Sequence, residues 1–434
     1  MAACALTSAR VRDGAYSGTV SSKLRKPETS SEIFFTAAKD SLSSDFGKMD
    51  SVEYIRACTL LALTCIQYGQ SVDVQQYLGK AFTLAAMHRF YDEKYWPTFL
   101  DQKEREMYRR VYWCTYMLDV YSAIVWSCFL RSQEIHAYVR YPSEANEDNG
   151  SQDLSPWSGS SVNWLVGWNF SLDLYRVIEH VLNKARARKF VHDDRRSVDS
   201  LVFADTFSDR DVMQTMLNMY YELPRQFKET PPMTGDITRD IFGFQAANIQ
   251  ATLQLLRMLL FSLEDGPGVE RKCDVASEVL QVFHTIPIPY LRAISTPLVF
   301  QLGSIGQILG AVLKEPLSQP VYERVRTALI LMADLLENLE SVLHRSAGAA
   351  QGLRSQVEKI DEYMQSQHGP PQPTFMHPPS HTNMTSMGSL ATSMAMPIPP
   401  PMPTMHVLPE MHADWPWQFF QEGNYFPAGM GGPY

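Results

Sequence analysis

Apolar and polar positions along this chain recur with the period of helices. In "DSVEYIRACTLLALTCIQYGQ", residues 50–70, apolar side chains run nearly all round the helical wheel between a polar start at Asp50 and Glu53 and a glycine stop at Gly69. That pattern predicts a buried helix. "SVDVQQYLGKAFTLAAMHRF" follows, with Ser71 as its cap and its end near His88. The third, "DQKEREMYRRVYWCTYMLDVYSAIVW", opens on the capping pair Asp101 and Glu104. Its Met107, Val111, Cys114, Leu118, Tyr121 and Val125 return at steps of four and three, the stripe of a packed helix. Further helices are predicted over 164–189, 211–228, 240–263, 271–283, 297–314 and 322–343. Breakers such as "YPSEANEDNGSQDLSPWSGS", "ETPPMTGD", "EDGPG" and "IPIP" separate them. No run alternates with the period of a strand, so the expected fold class is all-α and multi-helical.

The two ends change the picture. Residues 1–32 are rich in Ser and Ala and carry Arg10, Arg12, Lys23, Arg25 and Lys26, which predicts a disordered flank. Residues 346–434 are expected to be a disordered, Pro/Met-rich tail: from Ser366 through Pro409 there is no charged residue. The tail closes on "LPEMHADWPWQFFQEGNYF", where Glu410, Asp414 and Glu422 flank Trp415, Trp417, Phe419, Phe420, Tyr425 and Phe426. Acids that keep aromatics in water have the composition of a transcriptional activation segment, with Trp415, Trp417, Phe419 and Phe420 at its centre. The helical part between the ends is 33–345.

One stretch, 293–313, is uncharged and long enough to span a bilayer. It holds Gln301 and Gln307, lacks an aromatic belt, and its "STP" reads as Thr296 N-cap followed by proline in the first helical turn, so it is expected to be a buried helix and not a membrane anchor. "GSIGQILG" puts Gly303, Gly306 and Gly310 on one side of that helix, which suits close helix packing better than phosphate binding.

Charge and chemistry narrow the function. The formal net charge of -9 lacks the basic excess of most DNA-binding domains. Cys4, Cys58, Cys65, Cys114, Cys128 and Cys273 form no C-x2-C pair and mostly lie in apolar helical patterns, as reduced core thiols do. No nucleophile elbow, Walker loop, H-E-x-x-H or G-x-G-x-x-G is present, which argues against an enzyme. His377 and His381 lie four apart in a Pro-rich tract, a chance pair and not a metal site. "HDDRRSVD", 192–199, reads as a solvated loop.

The helix order and its polar punctuation resemble the regulatory middle homology region of fungal zinc-cluster transcription factors. That family shows an A-x-x-L-A-x-x-L-G-L-H-R-like helix end, then R-R-x-x-W-x-x-Y-x-x-D-R, a glycine-arginine-proline turn and a closing proline. The matching positions here are Ala81, Ala85, His88, Arg89, Arg109, Arg110, Trp113, Tyr116, Asp119 and Pro142. Val120 replaces the arginine after the aspartate, Met87 and Phe90 depart from the pattern around His88, and "WSCFLRSQEI" lacks the expected turn. The six-cysteine zinc cluster and the region's opening helices have no counterpart in these residues, so zinc is expected only in a cluster this chain does not carry. The resemblance implies a nuclear transcriptional regulator that touches DNA only through a missing or partner domain. It also implies coactivators or other regulators as partners, and it allows a homodimer. A helical interaction or scaffold protein that modulates such regulators without binding DNA is the alternative.

Asp119 is the one acid in the apolar half of its helix, and an unpaired buried charge would cost several kcal/mol. Tyr112, Thr115 and Ser122 offer hydroxyls within local reach, and an arginine from another segment could supply charge. Either these groups form a satisfied network that fixes helix packing, or Asp119 anchors a small effector in a pocket.

Overall fold

The computed structural model describes residues 1–15, 30–144, 162–191, 209–263, 269–310, 318–344 and 347–368. The described residues are all-α; their one pairing of strand type is a single bridge between Asp92 and Tyr138. Helix α1 is Ala2–Arg12, α2 Ser31–Asp40, α3 Val52–Gln67, α4 Ser71–Met87, α5 Gln102–Val125 and α6 Leu165–Val191. They are followed by α7 Asp209–Glu222, α8 Ile237–Leu263, α9 Val269–Thr285, α10 Ile288–Ile294, α11 Thr296–Gly310, α12 Gln319–Glu340 and α13 Ala349–His368.

Local chemistry explains the boundaries. The cap of α3 is Ser51, one residue after the expected Asp50: its hydroxyl accepts from the Glu53 N–H at 3.2 Å. Gly69 takes φ 70, and this lets the Gln70 N–H reach back to the Cys65 carbonyl at 2.9 Å and end the helix. The capping box of α5 forms as predicted, with Asp101 accepting from the Glu104 N–H at 2.7 Å and Glu104 accepting from the Asp101 N–H at 2.9 Å. Helix α7 stops at Glu222, short of the expected 228. Pro224 lacks a donor, and the chain leaves through a 3-10 turn, Arg225–Phe227. Inside the expected breaker "IPIP", Pro289 sits in the first turn of the short helix α10.

Both ends hold more structure than composition suggested. The flank expected over 1–32 begins with α1, whose Ala2, Ala5, Ser8 and Ala9 are buried against α2 and α3, and Ser31 donates to the Ala5 carbonyl at 2.7 Å. These small side chains carry no hydrophobic stripe, yet they let helix backbones approach closely. The tail expected from 346 begins with α13, whose buried Ala350, Leu353, Val357, Ile360 and Met364 recur at steps of three and four against α12 and α11.

Helix α11 is the hub. Every residue in it except Pro297 is buried, and it packs on α3, α5, α8, α9, α10, α12 and α13. A Cβ on Gly306 would lie 2.7 Å from Leu353 Cδ1 and 2.9 Å from Met332 Sδ, and one on Gly310 would overlap Gln356, so the glycines seat α12 and α13 against the helix. Among the described residues no single helix is long and apolar enough to cross a membrane. Of the cysteines, all of them free, Cys58, Cys65 and Cys273 are buried and Cys4 is exposed.

A buried polar knot ties the end of α1 and the turn after α12 to this hub. Gln67 Nε2, at the end of α3, donates to Ser295 Oγ at 2.6 Å, to Thr296 Oγ1 at 3.0 Å and to the carboxylate of Asp13, the C-cap of α1. The other Asp13 oxygen accepts from the His344 N–H at 3.0 Å. Ser295, between α10 and α11, is held at φ 67, a region that disfavours side chains.

Candidate functional site

Arg109, Trp113, Tyr116 and Asp119 follow one another on α5 at steps of four, three and three, so they share one face. Ser127, at φ 53, reverses the chain just past the helix, and residues 128–143 run back along that face without forming regular structure apart from the 3-10 turn Glu134–His136. Backbone amides in such a segment have no ladder to join and still need acceptors. Buried carboxylates supply them.

Asp119 is fully buried. One of its oxygens accepts from the backbone N–H groups of Arg131 at 2.7 Å and Ser132 at 3.3 Å, and the other from Arg131 Nη1 at 2.7 Å. The Arg131 guanidinium also bonds Gln75 of α4 and lies 4.8 Å from the centroid of the Phe129 ring. Burial pushes the Asp119 pKa above its ordinary value, and the donors from Arg131 and Ser132 oppose that shift.

Three more anchors continue the row. Tyr116 donates to Glu179 of α6 at 2.6 Å, and the same Glu179 oxygen accepts from the Glu134 N–H at 2.9 Å. Burial and the bond to Glu179 both push the Tyr116 pKa above its ordinary value. Trp113 Nε1 donates to the Arg140 carbonyl at 3.0 Å. Arg109 grips Glu93 with two bonds of 2.8 Å and also bonds Glu106, whose second oxygen accepts from the Ser143 N–H at 2.8 Å. Glu93 takes in addition the Arg140 N–H at 2.8 Å. Burial alone would raise the Glu93 pKa, but its bonds to Arg109 and Arg140 hold it at about 2.

The register is antiparallel: 119 meets 131 and 132, 116 meets 134 through Glu179, 113 meets 140, and 106 meets 143. Each residue of the expected R-x-x-x-W-x-x-Y-x-x-D face thus fastens the returning segment, and each carboxylate is filled by donors from its own chain. Such an arrangement holds a loop in place. Of the hydroxyls expected around Asp119, none donates to its carboxylate. Thr115 bonds the Val111 carbonyl at 2.8 Å and Thr59 of α3 at 2.7 Å, and Ser122 donates to the Asp119 carbonyl at 2.9 Å. The Tyr112 hydroxyl is buried without a hydrogen-bond partner among the described residues, and burial pushes its pKa up to about 12. The arginine expected from another segment is Arg131, which lies in the stretch 126–135 that lacks the glycine-arginine-proline turn.

The remaining motif positions also anchor neighbours. Ala81 and Ala85 are buried, His88 Nε2 lies 2.9 Å from the Met49 carbonyl, Arg110 stacks over Trp164 at 5.8 Å, and the Pro142 carbonyl accepts from Asn169 at 3.1 Å. Sequence reasoning anticipated an arginine without identifying Arg131 and missed Glu93, Glu106 and Glu179 as partners, since each comes from outside the motif or from another turn of the same helix. Among the described residues no group of His, Cys, Asp and Glu could hold a metal ion. Trp415, Trp417, Phe419 and Phe420, the pair His377 and His381, and the loop 192–199 lie outside the described residues.

Residues 4–185 match the family model of the fungal specific transcription factor domain. The match starts within α1 and ends within α6, so it contains the whole fastened segment. No curated protein and no solved structure matches the chain.

Proposed function

With residues 4–185 as a fungal specific transcription factor domain, we propose that this chain is a transcriptional regulator of the fungal zinc-cluster type, working in the nucleus through its helical regulatory region. The observation that carries the reading is the α5 row, in which Arg109, Trp113, Tyr116 and Asp119 all hold one segment in place. The chain acts on transcription by binding other proteins and reaches DNA through a partner or a further domain, because its net charge of -9 supplies no general attraction to phosphate. It is not an enzyme. The regulatory region extends beyond the matched residues to the helices around α11, and the Asp119 network is structural. Residues 405–434 act as an activation segment, with Trp415, Trp417, Phe419 and Phe420 as its anchors.

Tethering the full chain to a reporter promoter through an unrelated DNA-binding domain tests this. Output should rise above that of the bare domain, and should fall when Trp417 and Phe420 become alanine. Output equal to the bare domain would count against transcriptional activation. The acidic balance also favours a second reading, an interaction protein that modulates other regulators. Under that reading the tethered chain is silent, yet it co-purifies with a DNA-binding regulator.

A further inference from the structure

Residues 87–99 and the bridge strand at Tyr138 present an unusual surface. Tyr138 donates its N–H to the Tyr91 carbonyl at 2.8 Å, and its own carbonyl accepts from the Glu93 N–H at 3.2 Å, so the two segments are joined through their backbones. Inward, Phe90 and Trp96 stack at 5.7 Å, and Trp96 Nε1 donates to the Phe90 carbonyl at 3.0 Å, which makes a rigid base. Outward, Met87, Tyr91, Tyr95, Phe99 and Tyr138 are exposed, Phe99 at 83% and Tyr138 at 68%. Large aromatics exposed along one short segment and the backbone paired with it mark an interaction site.

The surface has a sign. Arg89 and Lys94 both lie over the Tyr95 ring, at 4.5 and 4.7 Å from its centroid. Arg89 holds φ 49, a conformation that costs a non-glycine residue roughly 1 kcal/mol, and among the described residues it pairs with no acid, whereas Lys94 pairs with Asp92 at 3.3 Å. Glycine would end α4 there without strain.

We propose that this platform docks the chain's own acidic-aromatic end, residues 410–426. That segment carries Glu410, Asp414 and Glu422 around six aromatic rings, the complement of an exposed aromatic surface whose unpaired charge is Arg89. A second copy of the platform would bring like charges together. The connecting residues 369–409 can span at most about 140 Å, enough to reach any face of the core. Tethering also raises the local concentration of the end, so weak contacts suffice. The proposal uses the residues assigned above to activation but does not depend on their activating anything.

Replacing Phe420 by a benzoylphenylalanine photocrosslinker in the full chain tests the docking. Crosslinks should map to 87–99 or to Tyr138, join residues of a single copy in isotope-mixed samples, and weaken as salt rises. The doubly exposed variant Tyr95→Ser/Phe99→Ser should lose at least fivefold in crosslink yield while melting like the parent, and Arg89→Glu should lose similarly. Crosslinks elsewhere, crosslinks between copies, or a yield unchanged in both variants overturn it. An unrelated DNA-binding domain fused to 405–434 alone reads activation at a reporter promoter without the platform, so either idea can fail while the other stands.

Discussion

A carboxylate inside an apolar helix persists only where donors reach it, and Asp119 collects three from one short stretch of chain. Asp119→Ala leaves Arg131 without its anion and two amides without acceptors, so it should cost about 3 kcal/mol in chemical denaturation. Thr115→Val, which loses one hydroxyl on a different interface, should cost about 1 kcal/mol. A variant Asp119→Ala as stable as the parent would remove the network from the fold's support. Glu93 gives the row an acid limit. Its pKa is lowered from an ordinary 4.5 to about 2, so its contribution is full above pH 4.5 and is lost as pH falls through 2. Glu93→Gln should flatten that limb of the stability profile. At Arg89 the expected change is a gain: Arg89→Gly relieves the left-handed backbone and should add about 0.5–1 kcal/mol, while removing a cation from the Tyr95 platform.

At the scale of elements, what could be read from the sequence was whatever local chemistry alone decides. The capping box of α5, the glycine stop of α3 and the stripe in α5 depend on residues within a few turns, and they form where predicted. What local chemistry does not decide was missed. Helix α1 is held by small residues fitting other helices, and α13 has a regular stripe that the neighbouring charge-free tract obscured. The candidate site divides the same way: the α5 row was visible only through the family pattern, spacing alone pointed to Tyr112, Thr115 and Ser122, which do not donate to the Asp119 carboxylate, and Arg131 and Glu179 reach the row through loop reversal and packing from another helix. Glycine substitutions separate these two kinds of information. Gly310→Leu should destabilise by about 1–3 kcal/mol, because Gln356 fills the space a side chain needs. Gly79, inside α4 with nothing near its Cβ direction, should gain about 0.5–1 kcal/mol as Gly79→Ala. Thermal melts of the pair check both signs.

For the whole molecule, the important fact is that α11 lies outside the matched residues 4–185 yet packs on α3 and α5 within them. The two parts share one interior, and Asp13 and Gln67 bind α1 and α3 to Ser295, Thr296 and the His344 amide. Unfolding should therefore be a single transition in calorimetry, and Asp13→Ala should shift all of it by about 2 kcal/mol. Two separated transitions, with only the first moved, would show the parts to be independent.

That shared interior imposes an order on synthesis. The faces of α3 and α5 that receive α11 leave the ribosome well before residues 296–310 exist. At about 5–20 residues per second, the matched segment waits roughly 6–25 s after residue 185 for its central helix. Throughout that interval a nascent chain presents apolar helix faces with their partner still unmade, which makes this protein a client for chaperones that shield such faces during translation.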